Sequence, residues 1–318
     1  MTTTNSLIPT PPFFNAFTTH NQPIGRFAPS PTGSLHFGSL IAAVASYLYA
    51  RQQKGKWLVR IEDVDTQRCN EKASISIIKT LEAYDFEWDG EIIYQTQRND
   101  AYQVALDSIK EYTYPCSCTR KKLLATAPAG KFGYIYPEFC RNGVMNSDRA
   151  NKNHLSIRLK TNADRVCFED QCQKGRFCQN INEDIGDFIL KRGDGLFAYQ
   201  LAVVVDDAWQ GISQIVRGAD LYDNTPRQIY LQKILGYPQP DYLHFPVAID
   251  RSGRKLSKQS LSPEILLTGK RANLIKALDF LGQAPPLIDH FSSLNDLWSW
   301  AFKNWNTSKI PKQMTQVI

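Results

Sequence analysis

The residues best equipped for chemistry fall in two short segments, more than two hundred positions apart in a chain of 318. The first runs Gly25-Arg26-Phe27-Ala28-Pro29-Ser30-Pro31-Thr32-Gly33-Ser34-Leu35-His36-Phe37-Gly38-Ser39. A Pro-Gly turn and a His-x-Gly step stand directly before the apolar run Leu40 to Ala50, which is the order of a strand end, a turn and a helix start. Such a junction offers backbone N–H groups and a positive dipole end to a phosphate. Gly33 and Gly38 let the backbone approach a ligand, and His36 can donate to a phosphate oxygen. The second segment, Arg254-Lys255-Leu256-Ser257-Lys258-Gln259, follows the turn Asp250-Arg251-Ser252-Gly253. Lys255 and Lys258 can reach polyphosphate charge as it develops in a transition state. Taken singly, the first segment is equally an ordinary Pro/Gly loop, and the second equally a solvated basic one.

Cys116-Ser117-Cys118 and Cys140 make a third candidate. Three thiolates with one O or N donor complete a tetrahedron around Zn²⁺. On chemical grounds the fourth position goes to a water, His154 or Cys167, and the competing reading is three unlinked core thiols. Cys167, Cys172 and Cys178 match no familiar site spacing and are expected to be buried thiols. Seven cysteines, an odd number in a chain without an export signal, argue against a disulfide framework.

These groups need elements to hold them. Ile24 to Phe27 reads as a strand, Leu40 to Ala50 as a helix, and Trp57 to Ile61 as a second strand ending in Glu62-Asp63-Val64-Asp65. Helices are expected over Ser74 to Tyr84 and Ala101 to Glu111, so strands and helices alternate as they do around a parallel sheet. From Pro115 to about Gly195 the alternation breaks into a Cys-, Lys-, Asn- and Gly-rich stretch with short strands such as Leu155 to Leu159, which marks an insertion. Ala198 to Asp207 is expected as a buried strand ending in two acids, and Thr225 to Leu235 as a helix opening on a Thr-Pro pair. Helical segments are expected around Ile265, over Asn273 to Leu281 and over Leu294 to Trp305.

The composition, 42% hydrophobic and 21% charged, is that of a globular protein with a sizeable core, and no apolar run reaches the length of a membrane span. Met1 to Gln22 holds no Lys or Arg, unlike a secretory signal or a transit peptide, so a flexible tail and a cytoplasmic protein are expected. Of the net charge of +6, all falls after Asp250: Arg251 to Ile318 carries ten Lys/Arg against four Asp/Glu. A basic C-terminal quarter suits an anionic partner such as RNA, or simply solubility.

The pair of segments, HFGS and KLSKQ, resembles the HIGH and KMSKS signatures of class I aminoacyl-tRNA synthetases. Four further stretches resemble the glutamate-specific branch: the Arg-Phe-Ala-Pro-Ser-Pro-Thr-Gly lead-in, Val59 to Asp65, Val204 to Asp207 with Gly211-Ile212, and Val216 to Leu221 with Thr225 to Gln228. Together they span Gly25 to Gln259 in family order. Two features depart from an ordinary glutamyl-tRNA synthetase. The sixty residues after Lys258 cannot form an anticodon-binding region. Cys-x-Cys followed by Tyr136-x3-Cys140 is similar to the zinc site of a short paralogous branch that places glutamate on the modified base queuosine. Ala208 stands where relatives commonly have His, and no role is assigned to it.

The resemblance implies an ATP-dependent, AMP-forming ligase. Its α/β fold would be the class I Rossmann-type parallel sheet with a zinc-binding α+β insertion and a short helical C-terminal segment. The implied divisions are 1–22 tail, 23–114 first half of that fold, 115–195 insertion, 196–258 second half with the KLSKQ loop, and 259–318 C-terminal segment. Its substrates would be ATP with Mg²⁺, L-glutamate and tRNA(Asp) carrying queuosine at the first anticodon position, with no membrane and no stable protein partner. It places His36, Lys255 and Lys258 in catalysis, and His36, Gly38, Ser39 and Lys258 at ATP. Arg26, Phe27, Ala28, Pro29, Ser30, Glu62, Tyr199 and Arg217 fall at glutamate. Among these Arg26 can fork onto the side-chain carboxylate, and Glu62, at a strand end, can take the ammonium. Cys116, Cys118, Tyr136 and Cys140 would hold one structural Zn²⁺. Asp206 and Asp207 suit ribose hydroxyls or Mg²⁺ and equally a structural role. The competing functions are charging of a tRNA 3′ end by a truncated glutamyl-tRNA synthetase, small-molecule nucleotidyl transfer, and RNA binding without catalysis.

Overall fold

The computed structural model describes residues 22–144, 154–173, 175–255, 264–265 and 267–318. All but the last residue of the expected tail, together with Lys258, lie outside the described residues. Strand β1 (Ile24–Phe27) is buried along its whole length. It feeds through the Pro/Gly segment into α1 (Phe37–Gln52), an Ala- and Leu-rich helix buried along most of its length. A Cβ on Gly25 would come within 3.1 Å of the Ala50 Cβ, so glycine lets α1 lie close on β1. Next come β2 (Lys56–Ile61), α2 (Glu71–Ala83) with an Asn70 cap, β3 (Ile93–Tyr94) and α3 (Asn99–Ser108).

The chain then leaves the sheet. It forms β4 (Thr113–Cys116), α4 (Arg120–Thr126), β5 (Ala129–Gly130) and β6 (Gly133–Tyr134). Beyond these are β7 (Ser156–Leu159), β8 (Arg165–Glu169), β9 (Arg176–Asn180), α5 (Ile181–Asp184) and β10 (Ile189–Lys191). Here β10, β7 and β4 make an antiparallel sheet, and β8 and β9 a separate hairpin.

The return is α6 (Tyr199–Trp209), which corrects the expected buried strand over Ala198 to Asp207. Gln200 to Ala208 is buried without a break, and a continuous apolar run has no period to separate strand from helix. Then follow β11 (Gln214–Gly218), α7 (Thr225–Leu235), β12 (Asp241–Phe245) and β13 (Val247–Ile249). Helix α7 begins at its Thr-Pro pair and ends where Gly236 turns left-handed at φ 69°. Two further helices, α8 (Lys270–Phe280) and α9 (Leu294–Asn304), precede β14 (Thr315–Val317), which pairs with β13. The segment at Ile265 is extended where it is described: Glu264 bridges His36, and the Ile265 N–H donates to Leu35 C=O.

The central sheet is parallel throughout, in the order β12-β11-β1-β2-β3. One core cluster joins the α1 face to Leu274, Leu278 and Leu297 of the C-terminal helices. The other packs Tyr102 of α3, Leu201 of α6 and Leu231 of α7 on the opposite side. The chain moves outward from β1 to β2 and β3, then returns on the other side of β1 as β11 and β12. The order therefore switches direction at β1, and a crevice opens beyond the carboxyl ends of β1 and β11.

Candidate active site

At that switch point lies a cavity of about 800 Å³. Its walls are the segments that leave the strand ends: Arg26 to Ser30 after β1, Glu62 after β2, and Arg217 to Leu221 after β11. Every expected glutamate, ATP and catalytic residue within the described chain lines it, including Tyr199 at the first turn of α6 and Lys255. A backbone bond from Glu62 N–H to Pro29 C=O ties two of these walls together.

His36 caps α1. Its Nδ1 accepts from the Ser39 N–H at 3.3 Å, which assigns the ring proton to Nε2. Gly38 and Ser39, in the first turn, face the cavity with the positive end of α1 behind them. Lys255 sits on the opposite rim, with its Nζ 2.5 Å from Asp220 Oδ2.

Beneath the cavity runs a buried charge network. Arg26 donates Nε and Nη2 to Asp207, and Arg60 reaches both Asp207 (2.8 Å) and Glu62 (3.1 Å). Burial opposes the Asp207 carboxylate, yet the guanidinia of Arg26 and Arg60 outweigh it and hold its pKa below the ordinary value. Glu62 differs: burial pushes its carboxyl up, against the pull of Arg60 and Arg26. Two guanidinia thus face two carboxyl groups. Asp206 is fully buried and saturated by Gln95, Arg98 and Tyr102, so neither acid of the Asp-Asp pair is turned toward a ligand.

Arg217 is held otherwise. Its guanidinium, 6% exposed, donates to His244 Nε2 (3.0 Å), Gln228 Oε1 (2.9 Å), Thr225 Oγ1 (2.8 Å) and the Leu221 carbonyl. All four acceptors are neutral in this setting: burial drives the His244 imidazole down to about 4. Among the described residues no carboxylate pairs with this buried cation.

In the insertion, Cys116, Cys118 and Cys140 place their sulfurs within 4.8 Å of one another, so the cluster could hold a metal ion. Sulfurs each about 2.3 Å from a tetrahedral Zn²⁺ stand about 3.8 Å apart. Cys118 and Cys140 are 3.7 Å apart, and Tyr136 Oη lies 3.3 Å and 3.7 Å from Cys116 and Cys118. The donor set and spacing fit zinc. Arg158 donates Nε–H to Cys116 at 3.2 Å and stacks 3.7 Å over the Tyr136 ring. His154 is exposed and lies against the Gly193 carbonyl. Cys167 is bridged to Cys178, which corrects the expectation of thiols there; the two residues face each other across β8 and β9, while Cys172 is a buried thiol.

Sequence reasoning passed over Arg60, Gln95, Asp170 and His244. Arg60 was visible inside the Val59 to Asp65 stretch; the others stand outside any motif and join the site only through tertiary contact.

A parallel-sheet enzyme with a capped helix start and a lysine, Lys255, on the cavity at its switch point defines a class, and residues 24–281 match one: tRNA synthetases class I (E and Q), catalytic domain. The chain belongs to this family. Over nearly their whole length it is similar to proteins named Glutamyl-Q tRNA(Asp) synthetase. It is 50% identical to that of Dechloromonas aromatica, across 91% of this chain and 96% of the other. With that of Thiobacillus denitrificans it shares 49%, across 91% and 95%. The fold is shared with the glutamate-tRNA synthetase of Elizabethkingia anophelis, at TM-score 0.75 and 23% identity, covering 93% of this chain and 68% of that one. A glutamate tRNA ligase of Elizabethkingia meningosepticum, solved in complex with its amino acid, gives TM-score 0.73 at 23% identity, covering 92% and 66%. Among the described residues, no helix is long and apolar enough to cross a membrane.

Proposed function

We propose that this enzyme activates L-glutamate with ATP and transfers it to queuosine at the first anticodon position of tRNA(Asp), in the cytoplasm. The observation that carries the amino-acid half is that the buried Arg217, which pairs with no carboxylate among the described residues, lines the same cavity as Glu62. A cation without a carboxylate asks for an anion, and a carboxyl group at a strand end asks for an ammonium. Glutamate supplies both, and a second carboxylate to react. The RNA half rests on the likeness to the Glutamyl-Q tRNA(Asp) synthetases.

In this reading the glutamate ammonium lies on Glu62, and its side-chain carboxylate on Arg217 with Tyr199 alongside. Arg26, oriented by Asp207, and the backbone of Phe27 to Ser30 line the reacting end. The α-carboxylate attacks the ATP α-phosphorus, forming the glutamyl-adenylate anhydride and releasing pyrophosphate. His36 Nε2–H and the first turn of α1 at Gly38 and Ser39 hold phosphate oxygens, and Lys255 and Lys258 meet the departing pyrophosphate. Mg²⁺ carried in with ATP shares that charge. A queuosine ring hydroxyl then attacks the adenylate carbonyl and releases AMP. The deciding experiment is charging with labelled glutamate on tRNA from cells with and without queuosine: label must enter only the queuosine-containing pool. Label that enters both pools and leaves with the 3′ terminal nucleotide would mean ordinary tRNA charging.

Because the cavity walls are assembled in the protein alone, glutamate-dependent ATP–pyrophosphate exchange is expected without RNA. Exchange that begins only on adding tRNA would overturn this.

Cys116, Cys118, Tyr136 and Cys140 would hold one structural Zn²⁺, which when bound cross-links β4 to the segment after β6. Three thiolates around Zn²⁺ leave one negative charge, and the Arg158 guanidinium offsets it. Elemental analysis of protein purified without chelator should give one zinc per chain, and Cys118→Ser should release it and lower the melting temperature. Metal-free wild-type protein would refute the site, and Tyr136→Phe with undiminished zinc affinity would assign the fourth position elsewhere.

A further inference from the structure

The acceptor that holds Arg217 Nε is itself held from outside the Rossmann-type core. His244 lies on β12, and its Nδ1 is 2.6 Å from Asp170 Oδ2, with both side chains fully buried. Asp170 follows β8 in the insertion, three residues beyond the Cys167–Cys178 bridge. Its other oxygen, Oδ1, accepts the backbone N–H groups of Cys172, Gln173 and His244 at 2.9 to 3.1 Å. Gln173 adds a bond from Nε2 to the His244 carbonyl. The imidazole stacks within 8° of the Tyr242 plane, so it has little freedom to turn.

Each bond in this chain has one polarity. Asp170 can only accept, so His244 Nδ1 carries the proton. Nε2 is then a lone pair, and it faces the Nε–H of Arg217 at 3.0 Å. With the opposite tautomer two N–H groups would confront each other there.

We propose that Asp170 and His244 are positioning residues for glutamate recognition: Asp170 fixes the His244 tautomer, and His244 Nε2 aims the Arg217 guanidinium into the cavity. The insertion thereby helps to shape the amino-acid site as well as carrying the cysteine cluster. The inference rests on the reading of Arg217 as a glutamate ligand.

Asp170→Asn tests it. Three backbone donors keep the amide oxygen at the Oδ1 position, which turns the Nδ2 hydrogens toward His244 Nδ1. The imidazole must then carry its proton on Nε2, against Arg217; replacing the orienting Asp of a catalytic His by Asn acts by the same logic. The expected result is a rise in KM for glutamate of about tenfold or more in ATP–pyrophosphate exchange, with KM for ATP within about twofold. His244→Phe is the second variant: it keeps the ring stack and the backbone donors of Asp170, removes the acceptor at Arg217 together with the bonds to Asp170 Oδ2 and Thr225 Oγ1, and should show the same split in folded protein. Nitrogen-15 spectra of histidine-labelled protein should show His244 as the Nδ1–H tautomer in the wild type and the Nε2–H tautomer in Asp170→Asn. Equal rises of both KM values, unchanged glutamate KM, or a wild-type Nε2–H tautomer would overturn the proposal. Arg217→Gln separates the two readings. If it leaves the glutamate KM untouched, the glutamate role of Arg217 fails; if it raises that KM while Asp170→Asn and His244→Phe do not, the positioning relay alone fails.

Discussion

Arg217→Gln is expected to abolish most glutamate activation while leaving ATP binding and the fold nearly intact. The guanidinium is buried among neutral acceptors, so among the described residues it is a desolvated cation with no paired carboxylate. A substrate carboxylate entering beside it gains a charge-assisted, forked pairing in a place water cannot compete for. Truncating one partner of such a pair costs about 2–5 kcal/mol, or about 30- to several-thousand-fold in kcat/KM. Discrimination collapses with it: an amide places an N–H donor where Arg217 presents only donors, so the wild type should reject glutamine strongly, by about 10⁴-fold. Stability should move little, since removal of an uncompensated buried charge offsets the lost hydrogen bonds; a melting-temperature change under about 5 °C is expected. Exchange assays with glutamate and glutamine, alongside thermal unfolding, read out all three quantities. Near wild-type selectivity would return the side-chain carboxylate to Arg26.

Asp207→Asn should do the opposite, with its main effect on stability. Asp207 is the shared counter-charge of Arg26 and Arg60, all three nearly or wholly inaccessible to water. With a neutral amide there, the two buried guanidinia lose the counter-charge they share and keep Glu62, with Asp206 acting on Arg60, and breaking a buried ion pair in this way costs about 3–5 kcal/mol. Denaturant unfolding near pH 7 should show that difference between wild type and variant. Its pH dependence has a definite sign. The folded Asp207 pKa lies below the unfolded value, so the carboxylate's contribution is complete above about pH 4 and fades as acid titrates through the folded pKa. The two proteins should therefore converge in stability at low pH. A constant gap down to pH 2, or none at pH 7, would show that the Asp207 charge does not hold this network. Arg26 also loses its orienting partner, so residual folded variant should activate glutamate poorly.

Much of this was legible from residue order because the informative segments are local. A Pro-Gly turn and a His-x-Gly step before an apolar run specify a strand, a turn and a helix start by short-range sterics and capping, and the structure places β1, the turn and α1 there. The Thr-Pro start and Gly236 stop of α7 are equally local, and that helix spans Thr225–Leu235 as its residues predict. The resemblance of these segments to a known family, rather than local signals, is what grouped Arg26, Glu62, Tyr199, Arg217 and Lys255, and all five line one cavity. What residue order left open is whatever burial and partnership decide. Helix α6 read as a strand because its apolar run has no exposed face, so no periodicity records its winding. The roles of Asp206 and Asp207 could not be chosen because a carboxylate is a ligand or a structural counter-charge according to what lies opposite, and Arg98, Tyr102, Arg26 and Arg60 come from distant elements. The pairing of Cys167 with Cys178 depended on strand register, which side-chain types alone do not set. The two arginines of the cavity look alike in sequence; only tertiary structure pairs Arg26 with Asp207 and, among the described residues, surrounds Arg217 with neutral acceptors, because partnership across distant elements is not written in residue order.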